Sequence, residues 1–184
     1  MRYLMILFAI IVLFFGCKKE ENLYLKFYPG SSELFFNDVK TNRFRVSSGY
    51  TNNKDKLTID FLYAINNLYN REGFIIVNIK PNNRDMQRIY FYNIGDGTVD
   101  LDTNKVMSSF NTLSDDGDVL CHIYDVLESD SLNNWIKITK YDAQRKTIEG
   151  DFSITFIKTR ECNTLSYPDT IRIREGKFST VISN

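Results

Sequence analysis

The sequence predicts an all-β fold, a single antiparallel β-sandwich or a partly closed, lipocalin-like β-barrel, and three observations predict it. First, Ile148, Gly150, Phe152, Ile154 and Phe156 alternate with Glu149, Asp151, Ser153 and Thr155, the period of a half-buried strand. Second, ten or so short segments of this kind follow one another, separated by turn residues, the rhythm of a sandwich or barrel. Third, no segment after the first twenty residues has the sustained 3.6-residue period of a long helix.

Taken in order, Leu23 to Tyr28 and Glu33 to Phe36 read as short strands around a Pro29-Gly30-Ser31-Ser32 turn. Arg43 to Tyr50 reads as a strand and Thr51 to Asp55 as the polar loop after it. In Leu57 to Tyr63 the residues Leu57, Ile59, Phe61 and Tyr63 share one face. Ala64 to Glu72 reads as a long hairpin loop with one helical turn, because Ile65, Leu68 and Tyr69 have helical spacing while the asparagines favour turns. Ile75, Val77 and Ile79 make the return strand, stopped by Pro81-Asn82-Asn83. Arg88 to Ile94 carries apolar residues on both faces, which predicts a central or doubly covered strand. Gly95-Asp96-Gly97 then turns the chain into Thr98 to Leu101, and Val119 to Leu127 is the longest strand expected in the middle of the chain. A polar link, Glu128 to Asn134, leads into a hairpin of Trp135 to Tyr141 and Lys146 to Phe156 around Asp142-Ala143-Gln144-Arg145. Thr170 to Arg174, a turn at Glu175-Gly176 and a strand at Phe178 to Ile182 complete a meander.

The amino terminus carries an address. Met1-Arg2 is a positive n-region, and Tyr3 to Phe15 is an uncharged run with the length of a signal-peptide h-region, short of the roughly 20 apolar residues that span a bilayer. Its end, Leu13-Phe14-Phe15-Gly16-Cys17, resembles the lipobox of bacterial lipoproteins, with Phe14 where Leu is usual. The resemblance implies a signal peptide at 1–16, an acylated Cys17, a tether at 17–22 and a β-domain at 23–184. Lys18-Lys19-Glu20-Glu21 is similar to the surface-export signal of lipoproteins of the Bacteroidota. It implies an outer-membrane lipid anchor facing the cell surface in preference to the periplasm; a plain solvated tether is the alternative.

Composition narrows the partners. Lys+Arg and Asp+Glu are both 23, so no basic excess points to nucleic acid. Fourteen Phe and eleven Tyr read first as core and strand filling and second as a platform for stacking sugars. Beyond Cys17 there remain Cys121, in a strand between Val119 and Ile123, and Cys162, in a loop. In an oxidising compartment they either pair, closing a loop worth about 3–4 kcal/mol in the chain-entropy model, or remain two thiols.

Nothing in the sequence spells out catalysis. The one histidine, His122, lies on a strand and reads as a surface or cross-strand residue. There is no Gly-x-Ser-x-Gly, Gly-x-Gly-x-x-Gly, His-Glu-x-x-His or Cys-x-x-Cys motif. Asp100, Asp102 and Asn104 have the spacing of calcium-loop ligands, but Lys105 replaces the required Gly and Asn111 stands where a bidentate Glu belongs. Asp115, Asp116 and Asp118 around Gly117 read as turn residues. No metal or cofactor is therefore expected.

Three stretches carry a further resemblance: Gly97 to Leu101; Trp135 to Asp142 with Ile148 to Phe152; and Asp169 to Ile173 with Glu175 to Phe178. Together they resemble β-rich lipoprotein domains of the Bacteroidota in which a strand ending in Tyr-Asp is followed by Ile-x-Gly-x-Phe and then by a strand ending in Gly-x-Phe. The likeness covers roughly the second half of the chain and implies a family and a location, with no catalytic residues. The expected function is a non-enzymatic module at the cell envelope, anchored through its N-terminal lipid, that binds a glycan, a small apolar ligand or a protein. The alternative is a glycan hydrolase working through paired carboxylates.

Overall fold

The computed structural model describes residues 28–51, 55–65, 70–92, 102, 104–114, 119–162 and 166–183. The signal segment with Cys17 and its tether, residues 23–27 of the strand expected at 23–28, the Gly95-Asp96-Gly97 turn, the strand at 98–101 and the Asp115 to Asp118 turn lie outside them.

The described residues form eleven strands: β1 (Gly30–Phe36), β2 (Val39–Thr41), β3 (Arg45–Tyr50), β4 (Leu57–Ile65), β5 (Asn70–Ile79), β6 (Gln87–Phe91), β7 (Val106–Ser114), β8 (Val119–Val126), β9 (Trp135–Asp142), β10 (Thr147–Arg160) and β11 (Thr170–Ser183), with a 3-10 helix at Glu128–Asn133 before β9. All belong to one sheet. Pairings run in a circuit β1-β3-β4-β5-β7-β8-β10-β11 and back to β1. The wall forks at β10, whose first half pairs with β9 and whose second half pairs with β8. Two parallel pairings, β6 with β7 and β11 with β3, make the sheet mixed where a purely antiparallel one was expected. The result is all-β and partly closed, but not a clean barrel.

The inside of this wall is filled. Phe61 stacks on Phe74 with ring centroids 4.3 Å apart, and Phe152 lies 4.9 Å from Phe61. Ile59, Ile154, Phe156, Ile171 and Ile173 complete a continuous core with these rings. Most of the phenylalanines among the described residues thus supply packing, at about 1.5–3 kcal/mol for each fully buried side chain.

Two Gly-x-Phe triplets organise the strongest part of the core. Gly150 lies opposite Phe178, Asp151 opposite Lys177, and Phe152 opposite Gly176, so each strand offers a bare backbone to the other's ring. A Cβ on Gly150 would sit 2.7 Å from the Phe178 ring, and one on Gly176 would sit 2.5 Å from the Phe152 ring. Glycine is required here for close approach and not for a turn.

Several expectations are corrected by register. The Glu175-Gly176 turn is a β-bulge inside one continuous fourteen-residue strand, with Glu175 at φ 49° as the extra residue. Gly30, Ser31 and Ser32 are strand rather than turn, because β1 enters the sheet at Gly30 against Val46. The tight turn lies at Asn37-Asp38, both at positive φ, joining β1 to β2. Both ends of the expected hairpin loop from Ala64 to Glu72 are strand, since β4 continues to Ile65 and β5 begins at Asn70; residues 66–69, where the helical turn was expected, lie outside the described residues. β5 contains the expected Ile75, Val77 and Ile79, and it turns Phe74, Ile76 and Ile79 to the core. A bulge near Asn78, at φ 63°, shifts the register between Ile76 and Ile79. β6 is paired on both edges but buries one face, Gln87 and Ile89, while Arg88 is exposed. β7 was not anticipated, because Ser108, Ser109, Asn111 and Thr112 hide its strand pattern.

Candidate functional site

The β11 bulge opens a groove on the outer face of β9, β10 and β11. About 490 Å³ in volume, it is lined by Asn133, Trp135, Asp151, Ser153, Arg174, Glu175, Gly176 and Lys177. Trp135 begins β9 and lies opposite Ser153 of β10, so its indole stands on the same face as the bulge. One wall is braced by a small polar network. Arg174 donates to Asp130 Oδ2 at 3.1 Å and to Thr155 Oγ1 at 2.7 Å, and Thr155 Oγ1 donates to the same carboxylate oxygen. The Asn134 side chain accepts the Thr155 backbone N–H at 2.8 Å and donates to the Leu127 carbonyl at 2.7 Å, pinning the 3-10 helix to β10. Burial pushes the Asp130 carboxyl up, but hydrogen bonds from Thr155 and Asn133 and the Arg174 charge outweigh it and hold the group below its usual range.

Such a groove pairs one flat aromatic with carboxylates, an amide and cations. It suits a polar ligand with an apolar face, since an indole offers stacking area while the rim supplies directional hydrogen bonds.

A second cleft, about 280 Å³, lies on the outer face of β4, β5 and β7, lined by Asp60, Arg71, Gly73 and Asn111 among others. Tyr28 occupies its edge and donates its hydroxyl to Asp60 at 2.7 Å. Burial raises the Asp60 carboxyl above its ordinary value, partly offset by that bond. Glu72 also borders this region, but strand register puts it across from Tyr63 and Asp60 across from Ile75. The two carboxylates therefore project from opposite faces of the sheet, which is not the arrangement of an acid/base pair across one cleft.

Glu72 belongs to a polar end of the core. It pairs with Arg43, accepts the Tyr167 hydroxyl at 2.7 Å, and is 3% exposed. The Arg43 guanidinium lies 4.7, 5.2 and 4.8 Å from the ring centres of Phe36, Phe44 and Tyr63. Burial raises the Glu72 carboxyl, against the lowering effects of Tyr167 and Arg43.

His122 stands beside this end, its ring centroid 5.1 Å from that of Tyr167. Expected as a surface or cross-strand residue, it is cross-strand and fully buried, with Nδ1 2.8 Å from Thr112 Oγ1. Cys121 and Cys162 are joined by a disulfide with their Cα atoms 5.0 Å apart, tying β8 to the segment after β10. Of the calcium-spaced residues, Asp102 accepts the Asn104 backbone N–H at 3.0 Å and pairs with Lys105 at 3.3 Å, a turn held by its own side chains; Asp100 lies outside the described residues.

The sequence placed Trp135, Asp151, Ser153 and Arg174 in strands and Glu175-Gly176 in a turn, but it did not bring them together as one groove. The signal was present in the Gly-x-Phe triplets with Glu175-Gly176, which register alone converts from a turn into a bulge. No family model matches the sequence, and no curated protein or solved structure matches it either.

Proposed function

We propose that the protein is a lipid-anchored module of the outer cell envelope, displayed at the surface, that binds a glycan in the groove beside Trp135. The anchor reading rests on the Met1 to Cys17 signal pattern and the charged Lys18 to Glu21 segment. The binding reading rests on one observation: a tryptophan, an asparagine, two carboxylates and two cations line one concavity on the outer face of the sheet. The core interior, packed with phenylalanine, offers less to a small apolar ligand than this groove offers to a sugar.

A glycan screen on the soluble chain beginning at Lys18 tests the reading. Binding is expected, with Trp135→Ala weakening it by about tenfold, the loss of roughly 1.4 kcal/mol of stacking. A Trp135→Ala protein that binds as the wild type does would sink the groove assignment. The hydrolase reading keeps one supporting feature, that Asp151 and Glu175 line the same groove; release of reducing ends from a bound glycan, abolished by Asp151→Asn, would favour it over simple binding. The anchor is tested separately by labelling with a palmitate analogue, which Cys17→Ser is expected to abolish.

A further inference from the structure

Away from the groove, Cys121, His122 and Cys162 place two sulfurs and an imidazole nitrogen within 4.8 Å of one another. Neighbouring residues of a regular strand point to opposite faces. Between Leu120 and Ile123, however, β8 carries an extra residue relative to β7, which breaks that alternation at Cys121 and His122. Cys121 and His122 are buried and Cys162 is half-buried. Thr112 fixes the histidine twice, accepting its backbone N–H at 3.0 Å and lying 2.8 Å from Nδ1. A metal-ligating histidine is held in orientation through its other ring nitrogen in just this manner.

We propose that reduction of the Cys121–Cys162 disulfide opens a Cys2His site for Zn2+ made of Cys121, His122 and Cys162. Reduction by a thiol breaks the S–S bond with two electrons and two protons, leaving two cysteine thiols and joining two reductant thiols as a disulfide. Zn2+ then forms two Zn–S bonds and one Zn–N bond and releases the two thiol protons; water takes the fourth tetrahedral position. The two thiolates neutralise the dication, as a buried charge requires. With Zn–S bonds of about 2.3 Å, the sulfurs of such a site stand about 3.8 Å apart. A Cα separation of 5.0 Å leaves that spacing within reach of side-chain rotation. Cys121 is fixed within β8, so the movement falls on Cys162, just past the end of β10. The oxidised protein has the site closed and the reduced protein has it open.

The test reduces the soluble chain from Lys18 with a phosphine, desalts it without oxygen and titrates it with Co2+, whose thiolate charge-transfer absorption reports Co–S bonds. One Co2+ per chain is expected, displaced by Zn2+, and none in the oxidised protein, in Cys121→Ser or in Cys162→Ser. His122→Gln should weaken binding by about tenfold or more, the loss that even an outer-shell change produces at a metal site. Since altering a buried histidine can unfold the chain, a second measure uses the reduced wild type itself: Zn2+ should protect both thiols from alkylation. No charge-transfer band in the reduced wild type, a band retained in Cys162→Ser, unchanged affinity in a folded His122→Gln, or thiols left unprotected by Zn2+ would each overturn the proposal.

Discussion

The seam between β10 and β11 and the polar end around Glu72 both pack aromatic rings, but different forces hold them. At the seam, Phe152 and Phe178 each lie over the other strand's glycine, and shape alone sets the fit. At the polar end, the rings of Phe36, Phe44 and Tyr63 surround a guanidinium whose carboxylate partner is buried, and charge compensation sets the fit. A close-packed seam fails when volume changes; a buried ion pair fails when one partner is removed. The two regions should therefore respond to different substitutions.

The largest effect is expected at the seam. Phe152→Ala removes a fully buried ring that touches Phe61, Phe74 and Phe178, and should cost about 3–5 kcal/mol in denaturant unfolding. Next comes Arg43→Met, which keeps the packing stem but leaves Glu72 without its cation. Breaking a buried pair costs about 3–5 kcal/mol, and since the Arg43 side chain is 35% exposed we expect about 2–3. If Arg43→Met is neutral while Glu72→Gln is also neutral, the polar end is held by packing and the contrast between the regions collapses. Smaller again is Gly176→Ala, about 1–3 kcal/mol for overpacking against the Phe152 ring. A double-mutant cycle sharpens this one. In the Phe152→Ala background the same change should cost little, because the clashing ring is gone; full additivity would show that Gly176 is needed for the bulge and not for the ring.

The same contrast explains which parts of the fold the sequence made legible. The first part of β10 and the second half of β11 bury one face and leave the other more exposed, so their alternation is written in the residues. β7 is covered on nearly all sides, and its polar side chains reach across to neighbouring strands, as when Ser108 donates to the Ile75 carbonyl of β5 at 2.7 Å and Thr112 Oγ1 lies 2.8 Å from His122 Nδ1 of β8. Such a strand has no period to read. Bulges account for the remainder: at Asn78 and at Glu175 one extra residue flips the facing of everything beyond it. Glu175 and Gly176 of the second of these line the groove beside Trp135, and Glu72 faces inward on a strand whose start reads as a loop in the sequence. Long-range register decides both, and neither local propensity nor composition encodes it.

The last and smallest expected effect is a pH dependence of opposite sign in the two regions. Glu72 has its carboxyl raised above its ordinary 4.5, burial being the main cause. Between that value and the raised one the folded protein holds a proton that the unfolded chain has lost, so stability declines as pH rises through this window and is level above it. Asp130, beside the seam, is lowered from its ordinary 3.8 by Thr155, Asn133 and Arg174 acting against burial. Its contribution is complete above 3.8 and is lost as pH falls through the lowered value. Asp60 and Asp125 are raised like Glu72, so the wild-type curve mixes several groups, and differences between variants are what separate them. Denaturant midpoints over an acid pH series should show Glu72→Gln gaining on the wild type as pH rises past 4.5, because the substituted side chain never has to ionise. Asp130→Asn should lose ground on the wild type as pH rises from the acid limit towards 3.8, because it lacks the favourable ionisation. Two difference curves sloping the same way would mean that Arg43 compensates Glu72 as fully as Arg174 compensates Asp130, and that the polar end of the core carries no electrostatic cost of its own.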